Sequence, residues 1–189
     1  MKLLHLAFAA TFAVAGLFGS AHAQSNENIL TIQLKDGPVV IELLPQVAPK
    51  HVERMKEIAG KGEYDNVAFH RVIDGFMAQT GDVEFGDLKD GYDPSRAGTG
   101  GSKLPDLPAE FSNLPFERGT VGMARAQDPN SANSQFFIMF ADGGFLNGQY
   151  TVVGKVVAGM EYVDKIKRGE GANGEVSDPD AMLKVTVGR

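Results

Sequence analysis

A lone arginine, an amide and several apolar side chains within a few residues can build a fixed cation beside an apolar wall, and residues 69–82, FHRVIDGFMAQTGD, hold that set. Residues 69–73 predict a short strand centred on Arg71, Asp74-Gly75 is a turn dipeptide, and residues 76–79 resume an alternating pattern, so the stretch predicts a β-hairpin. Such a hairpin can gather Arg71, Phe76, Met77 and Gln79 around one concave patch. Apolar pockets with a few placed polar groups are the usual form of a small-ligand site. Taken alone, the same residues also fit a weak surface ion pair and ordinary core. His70 is the nearby candidate for a general base, but adjacent strand residues face opposite ways, so a groove-facing Arg71 turns His70 away.

Four further blocks follow in order: Gly98-Thr99-Gly100-Gly101, Gly122-Met123-Ala124-Arg125-Ala126, Ser134-Gln135-Phe136-Phe137-Ile138 and Phe145-Leu146-Asn147-Gly148. With residues 69–82 they resemble the signature of the cyclophilin family of peptidyl-prolyl isomerases, and the resemblance spans residues 29–187. It implies an all-β dominated fold, a closed eight-stranded antiparallel β-barrel capped by two α-helices. It also implies an enzyme that needs neither cofactor nor metal. Carried over, the catalytic role falls on Arg71 with Gln79 beside it, and the proline pocket on Phe76, Met77, Gln79, Ala124, Phe137, Leu146 and Tyr150. Arg125, Ala126 and Gln135 would line the substrate groove. Phe145 stands where eukaryotic members often have Trp and Tyr150 where they often have His, and both look like bacterial choices. The family binds cyclosporin in this groove, and Phe145 lacks the indole donor, which implies weak inhibition. Residues 83–96 are longer than the connection common in bacterial relatives and fall outside the residue-by-residue match.

The implied chemistry needs no nucleophile. Rotating an amide breaks no covalent bond and must cross a barrier of ~18–20 kcal/mol set by resonance. Twisting the bond gives the prolyl nitrogen back its lone pair, so a guanidinium aimed there binds the twisted state better than the planar one. Arginine suits this better than the flexible point charge of lysine. Gln79 can fix the arginine or the substrate carbonyl, which is positioning rather than proton transfer. An intact set of Arg71, Phe76, Met77, Gln79 and Phe137 favours an enzyme over a chaperone or adaptor that merely grips proline-containing segments. No motif supports a sugar- or nucleotide-binding barrel.

Composition excludes other classes. With 189 residues, 43% hydrophobic and 22% charged, the chain suits one globular domain. A net charge of −6 argues against nucleic acid as partner. The absence of cysteine removes disulfides, thiolate metal sites and cysteine nucleophiles. Ser134 sits in no G-x-S-x-G elbow, which argues against a serine hydrolase. Glu84, Asp87, Asp90 and Asp93 lack calcium-loop spacing, and residues 98–101 lack the partners of a phosphate loop, so no metal or nucleotide is expected.

The amino terminus reads as a secretory signal peptide: Met1-Lys2, an apolar run over residues 3–18, and the small-x-small site Ala21-His22-Ala23. The expected domains are residues 1–23 as signal and 24–189 as isomerase. The mature chain would begin at Gln24 in the periplasm, free of the membrane and monomeric. It would act on proline-containing unfolded or newly exported polypeptides. Removing residues 1–23 leaves 17 basic against 24 acidic side chains, a formal −7.

The elements that must position the site follow from periodicity. Residues 29–34 and 39–44 predict a hairpin around Asp36-Gly37. From Pro49, the spacing of Val52, Met55, Ile58 and Ala59 predicts a helix stopped by Gly60, with Arg54 among its polar positions. Residues 82–112 predict a long surface loop, and residues 120–124, 135–140, 150–157 and 182–187 further strands. Residues 160–168 predict a second helix ended by Gly169.

Overall fold

The computed structural model describes residues 26–188, so the expected export signal lies outside the described residues. Alternation produces the first hairpin. β1 (Ile29–Gln33) and β2 (Pro38–Leu43) pair antiparallel around Asp36-Gly37 and bury Leu30, Ile32, Val39, Ile41 and Leu43. The period then changes to that of α1 (Pro49–Lys61), which buries Val52, Met55 and Ile58. Gly60 does not stop this helix. Gly62 does, at φ 74, where the left-handed backbone lets its N–H and that of Glu63 bond the carbonyls of Ala59 and Ile58. Arg54 is buried rather than solvated, donating to the carbonyls of Pro105 (2.8 Å) and Asn133 (3.5 Å).

The expected strand over residues 69–73 is shorter, with residues 69 and 70 outside any strand. β4 (Arg71–Ile73) and β5 (Met77–Thr80) form the central hairpin of the main sheet, while β3 (Val67–Ala68), just upstream, pairs with β9 (Ala181–Met182) in a small second sheet. β6 (Thr120–Met123), β7 (Phe136–Met139), β8 (Val152–Ala158) and β10 (Lys184–Val187) complete it. The second helix, α2 (Met160–Val163), is one turn long, not nine residues. Beyond it the backbone donors go elsewhere: Lys167 N–H to the Asp180 carboxylate (2.9 Å) and Gly169 N–H to the Val72 carbonyl (2.9 Å).

The eight strands run β10-β1-β2-β8-β6-β7-β5-β4, each antiparallel to its neighbours, and the two end strands do not pair with one another. The expected closed barrel is therefore corrected to a curled half-barrel, mostly β with two helices. Register shifts at Val40/Ile41 and Val121/Gly122 supply curvature. The free edge of β4 is covered instead by residues 169–176, through Val72 N–H to Gly174 O (2.7 Å) and Val176 N–H to His70 O (3.1 Å). Covering an edge removes a template for unwanted strand pairing.

The sheet is buried on both faces. One face forms the main core with α1; the other carries a smaller cluster of Met77, Phe116, Phe137, Met139, Leu146 and Val152. β7 shows the consequence, since Phe136 and Ile138 belong to the first cluster and Phe137 and Met139 to the second. A strand covered on both sides reads as an unbroken apolar run.

Candidate active site

Strand register assembles the site. Arg71 on β4 faces Gln79 on β5, Gln79 faces Phe137 on β7, Phe137 faces Gly122 on β6, and Gly122 faces Val152 on β8. These residues form one row across the second face of the sheet. Slipping any pairing by one residue would send its side chain into the main core. Gly122 is required by packing: a Cβ there would lie 2.5 Å from the Phe116 ring and 2.6 Å from the Phe137 ring. Its absence lets those rings stack with centroids 5.7 Å apart, while Tyr150 meets Phe137 edge-on at 5.9 Å.

Around this row lies a pocket of about 270 Å³ lined by Arg71, Phe76, Met77, Gln79, Ala124, Arg125, Phe137, Phe145, Leu146 and Tyr150. All of these were expected from the sequence. Ala126 and Gln135 do not line it. They lie in an adjoining chamber of about 550 Å³, with Gly98 to Ser102, Asp106, Ser131 and Asn133, and Gln79, Ala124 and Arg125 border both spaces. Phe145 is a rim residue, 66% exposed, with its ring 5.4 Å from that of Phe76.

The guanidinium of Arg71 is held on two sides. Its Nε donates to the Asn173 carbonyl (2.9 Å) and its Nη1 to Gln79 Oε1 (3.2 Å). Its Nη2 has no hydrogen-bond partner among the described residues. Gln79 Nε2 donates to Gln135 Oε1 (2.9 Å), and Gln135 Nε2 to the Gly100 carbonyl (2.8 Å). The loop bearing Gly100 is fixed by Asp82, fully buried, whose Oδ2 accepts from Gly98 N–H (2.7 Å) and Gly100 N–H (3.0 Å) and whose Oδ1 accepts from Glu84 (3.1 Å) and Phe85 (3.0 Å). A continuous chain of hydrogen bonds thus runs from a buried carboxylate to the cation in the pocket.

Arg125 is pinned in a different way. Its guanidinium lies 4.4 Å over the Tyr150 ring and donates to the carbonyls of Ala126 (2.8 Å), Gln127 (3.1 Å) and Gln149 (3.0 Å from Nη2). Neither Arg71 nor Arg125 takes part in an ion pair among the described residues.

His70 is turned away from the pocket, as the alternation predicts. It is buried against Gly98, where an added Cβ would lie 3.0 Å from its ring, and among the described residues neither ring nitrogen has a hydrogen-bond partner. Burial pushes its pKa below the ordinary value, against the opposing charge of Asp82. Ser134 is structural: its hydroxyl donates to Gly81 O (2.7 Å) and its carbonyl accepts from Tyr64 Oη (2.7 Å). Among the described residues no three His, Asp or Glu side chains gather at metal-binding range. The acids of the long loop fold it instead, Asp87 Oδ1 accepting from Lys89 N–H (2.8 Å) and Asp93 Oδ1 from Ser95 N–H (3.0 Å).

Sequence reasoning missed Asp82, Asn173 and Phe116. Asp82 carried one available signal, an Asp placed directly before an acceptor-hungry, glycine-rich loop. Asn173 acts through its backbone and Phe116 lies in an aperiodic segment, so neither carried any.

The site as built is a fixed cation with one unoccupied donor beside a ring-sized apolar pocket. It has no nucleophile, and the nearby imidazole is sealed away. Such a site can stabilise a lone pair that appears on a bound ring without breaking a bond. Known proteins are similar in sequence and fold. The family model for "Cyclophilin type peptidyl-prolyl cis-trans isomerase/CLD" matches residues 29–187. A probable peptidyl-prolyl cis-trans isomerase of Brucella suis is 60% identical over 191 residues, covering 99% of this chain and 97% of that protein. Peptidyl-prolyl cis-trans isomerase B of Escherichia coli is 37% identical over 147 residues, 74% of this chain and 84% of its own. Among solved structures, a Cryptosporidium parvum cyclophilin-type isomerase crystallised in the presence of the dipeptide Ala-Pro superposes with a TM-score of 0.72 at 27% identity, covering 84% of this chain and 98% of its own. A cyclophilin of Hirschia baltica gives a TM-score of 0.72 at 25% identity, with 85% and 74% covered.

Proposed function

This chain belongs to the cyclophilin-type peptidyl-prolyl cis-trans isomerases, and from that premise we propose that Arg71 is the group that lowers the rotation barrier and that the substrates are exported polypeptides. The proline ring enters the pocket floored by Met77, Phe137 and Leu146, all nearly buried. The acyl side extends past Gln79 into the second chamber, where amide and backbone donors are concentrated. As the bond twists, Arg71 Nη2 donates to the pyramidal prolyl nitrogen. The planar ground state offers no lone pair there, so the contact strengthens only at the barrier. The observation that carries this reading is the half-used guanidinium: two nitrogens anchored by Asn173 and Gln79, the third left without a partner.

Arg71 works best here as a dipole held still. Three successive amide contacts fix its orientation, and preorganised donors cost little reorganisation when charge shifts. The apolar walls exclude water, which strengthens each remaining polar contact.

The exported setting rests on the leader-like residues 1–23, and the lack of cysteine is compatible with it, leaving no thiol to mispair in a disulfide-forming compartment. The mature protein would begin at Gln24 and act as a monomer on newly translocated chains. Mass spectrometry of a periplasmic fraction should find a chain beginning at Gln24; a full-length chain confined to the cytoplasm would overturn the export reading. A protease-free exchange measurement on an Ala-Pro peptide tests the activity, and an unchanged cis-trans exchange rate at saturating protein would overturn it.

A further inference from the structure

The groove carries charge in a particular order. Arg125 borders both the proline pocket and the second chamber and so stands at their junction. It is fixed by Tyr150 and three carbonyls, has no carboxylate partner, and retains an Nη2 hydrogen beyond the bond to Gln149. Asp106 lines only the second chamber. Its carboxylate accepts a hydrogen bond from the neutral Asn133 amide (2.9 Å) and forms no ion pair among the described residues.

We propose that Arg125 and Asp106 make the groove charge-selective, favouring segments with a carboxylate immediately before the proline and a cation one residue further toward the amino terminus. This rests on the isomerase reading and on the acyl side lying in the second chamber. The residue before proline then passes the junction at Arg125, and the next, about 3.5 Å of chain further on, enters the chamber that holds Asp106. An acid at the first position meets the unpaired guanidinium, while a lysine there meets like charge. The guanidinium of Arg125 is already held by Tyr150 and backbone carbonyls, so its use in selection costs little ordering of the protein.

Two peptides of equal composition and net charge isolate the order from the overall attraction or repulsion of an acidic protein: acetyl-Lys-Glu-Pro-Phe-amide and acetyl-Glu-Lys-Pro-Phe-amide, with acetyl-Ala-Ala-Pro-Phe-amide as reference. Catalysed exchange is measured by NMR at low ionic strength. The Lys-Glu-Pro peptide should show kcat/KM about fivefold higher, the size of one charge pair near contact in a mostly aqueous setting. Arg125→Gln and Asp106→Asn should each lower the ratio part of the way, and raising salt to about 1 M should shrink it in the wild type. Equal rates for the two peptides on the wild type, or a ratio unmoved by both substitutions, would overturn the proposal while leaving isomerase activity on the reference peptide intact. No catalysed exchange on any of the three would remove the isomerase reading and the preference with it.

Discussion

Replacing Arg71 tests the mechanism most directly, because its contacts separate catalysis from stability. In the resting protein the guanidinium makes two hydrogen bonds, to Asn173 O and Gln79 Oε1, from a half-buried position. Bonds of this kind contribute ~0.5–1.5 kcal/mol each, so Arg71→Ala should cost ~1–3 kcal/mol and lower Tm by a few degrees in a chain of this size. The contact made at the barrier is larger. Removing one preorganised donor from a water-poor site typically costs ~3–4 kcal/mol, or roughly a hundred- to a thousandfold in rate. Arg71→Lys keeps the charge, but one ammonium cannot hold Asn173 and Gln79 while also reaching the substrate, so it should recover about tenfold at most. Exchange spectroscopy on an Ala-Pro peptide gives the rate and a thermal melt gives the fold. A variant with wild-type kcat/KM and an ordinary melting curve would refute the assignment, as would full activity in Arg71→Lys.

Asp82→Asn removes one of two carboxylate oxygens, each of which accepts two backbone N–H groups; losing two charge-assisted bonds should cost ~3–6 kcal/mol, and a Tm within about 2 °C of wild type would contradict this. His51 and His70 are buried and burial depresses the pKa of each, so their contribution to stability is complete above the ordinary histidine value near 6.5 and is lost as pH falls below it. Stability should therefore fall as pH drops below that value, and denaturant melts that stay constant from pH 7.5 to 5 would refute it. At His51, Glu110 stays ionised 2.7 Å from Nδ1, which assigns the proton to Nδ1 and leaves Nε2 bare; His51→Gln should flatten part of the slope. Phe145→Trp adds a donor at an exposed rim position and should tighten cyclosporin inhibition about tenfold, whereas equal inhibition of both proteins would show that the donor is immaterial.

What could be read in the sequence is what periodicity encodes. The first hairpin, α1, the central hairpin and the pocket side chains all lie in alternating or helical runs, and they stand where expected, with strand ends shifted by a residue or two. The errors lie where the backbone found partners that no local pattern announces. Lys167 gives its N–H to Asp180, thirteen residues away, so a sequence with a helical spacing of apolar residues yields only one turn. Arg54 occupies a polar helical position but reaches two loop carbonyls and is buried by them. Closure of the barrel depends on whether β4 meets β10 or the segment at residues 169–176, a competition between distant partners.

The sequence predicts the long loop as irregular, but what it does for the site is hidden because it acts through main-chain groups. Gly100 contributes a carbonyl from this loop, and Asn173 contributes another from the segment that covers β4. What the loop needs from side chains is a buried acceptor to hold its turns, and Asp82 provides it immediately after β5. The same strand therefore supplies Met77 and Gln79 to the pocket, Ala78 to the core and Asp82, just past its end, to the loop. A shift of β5 would disturb all three at once. Phe136 and Phe137 divide the work of β7 likewise: truncating Phe136, at 0% exposure in the main core, acts on stability through a cavity, while truncating Phe137 removes the stacking contact with Phe116 and the edge-on contact with Tyr150 in the pocket wall and so acts on stability and on proline binding together.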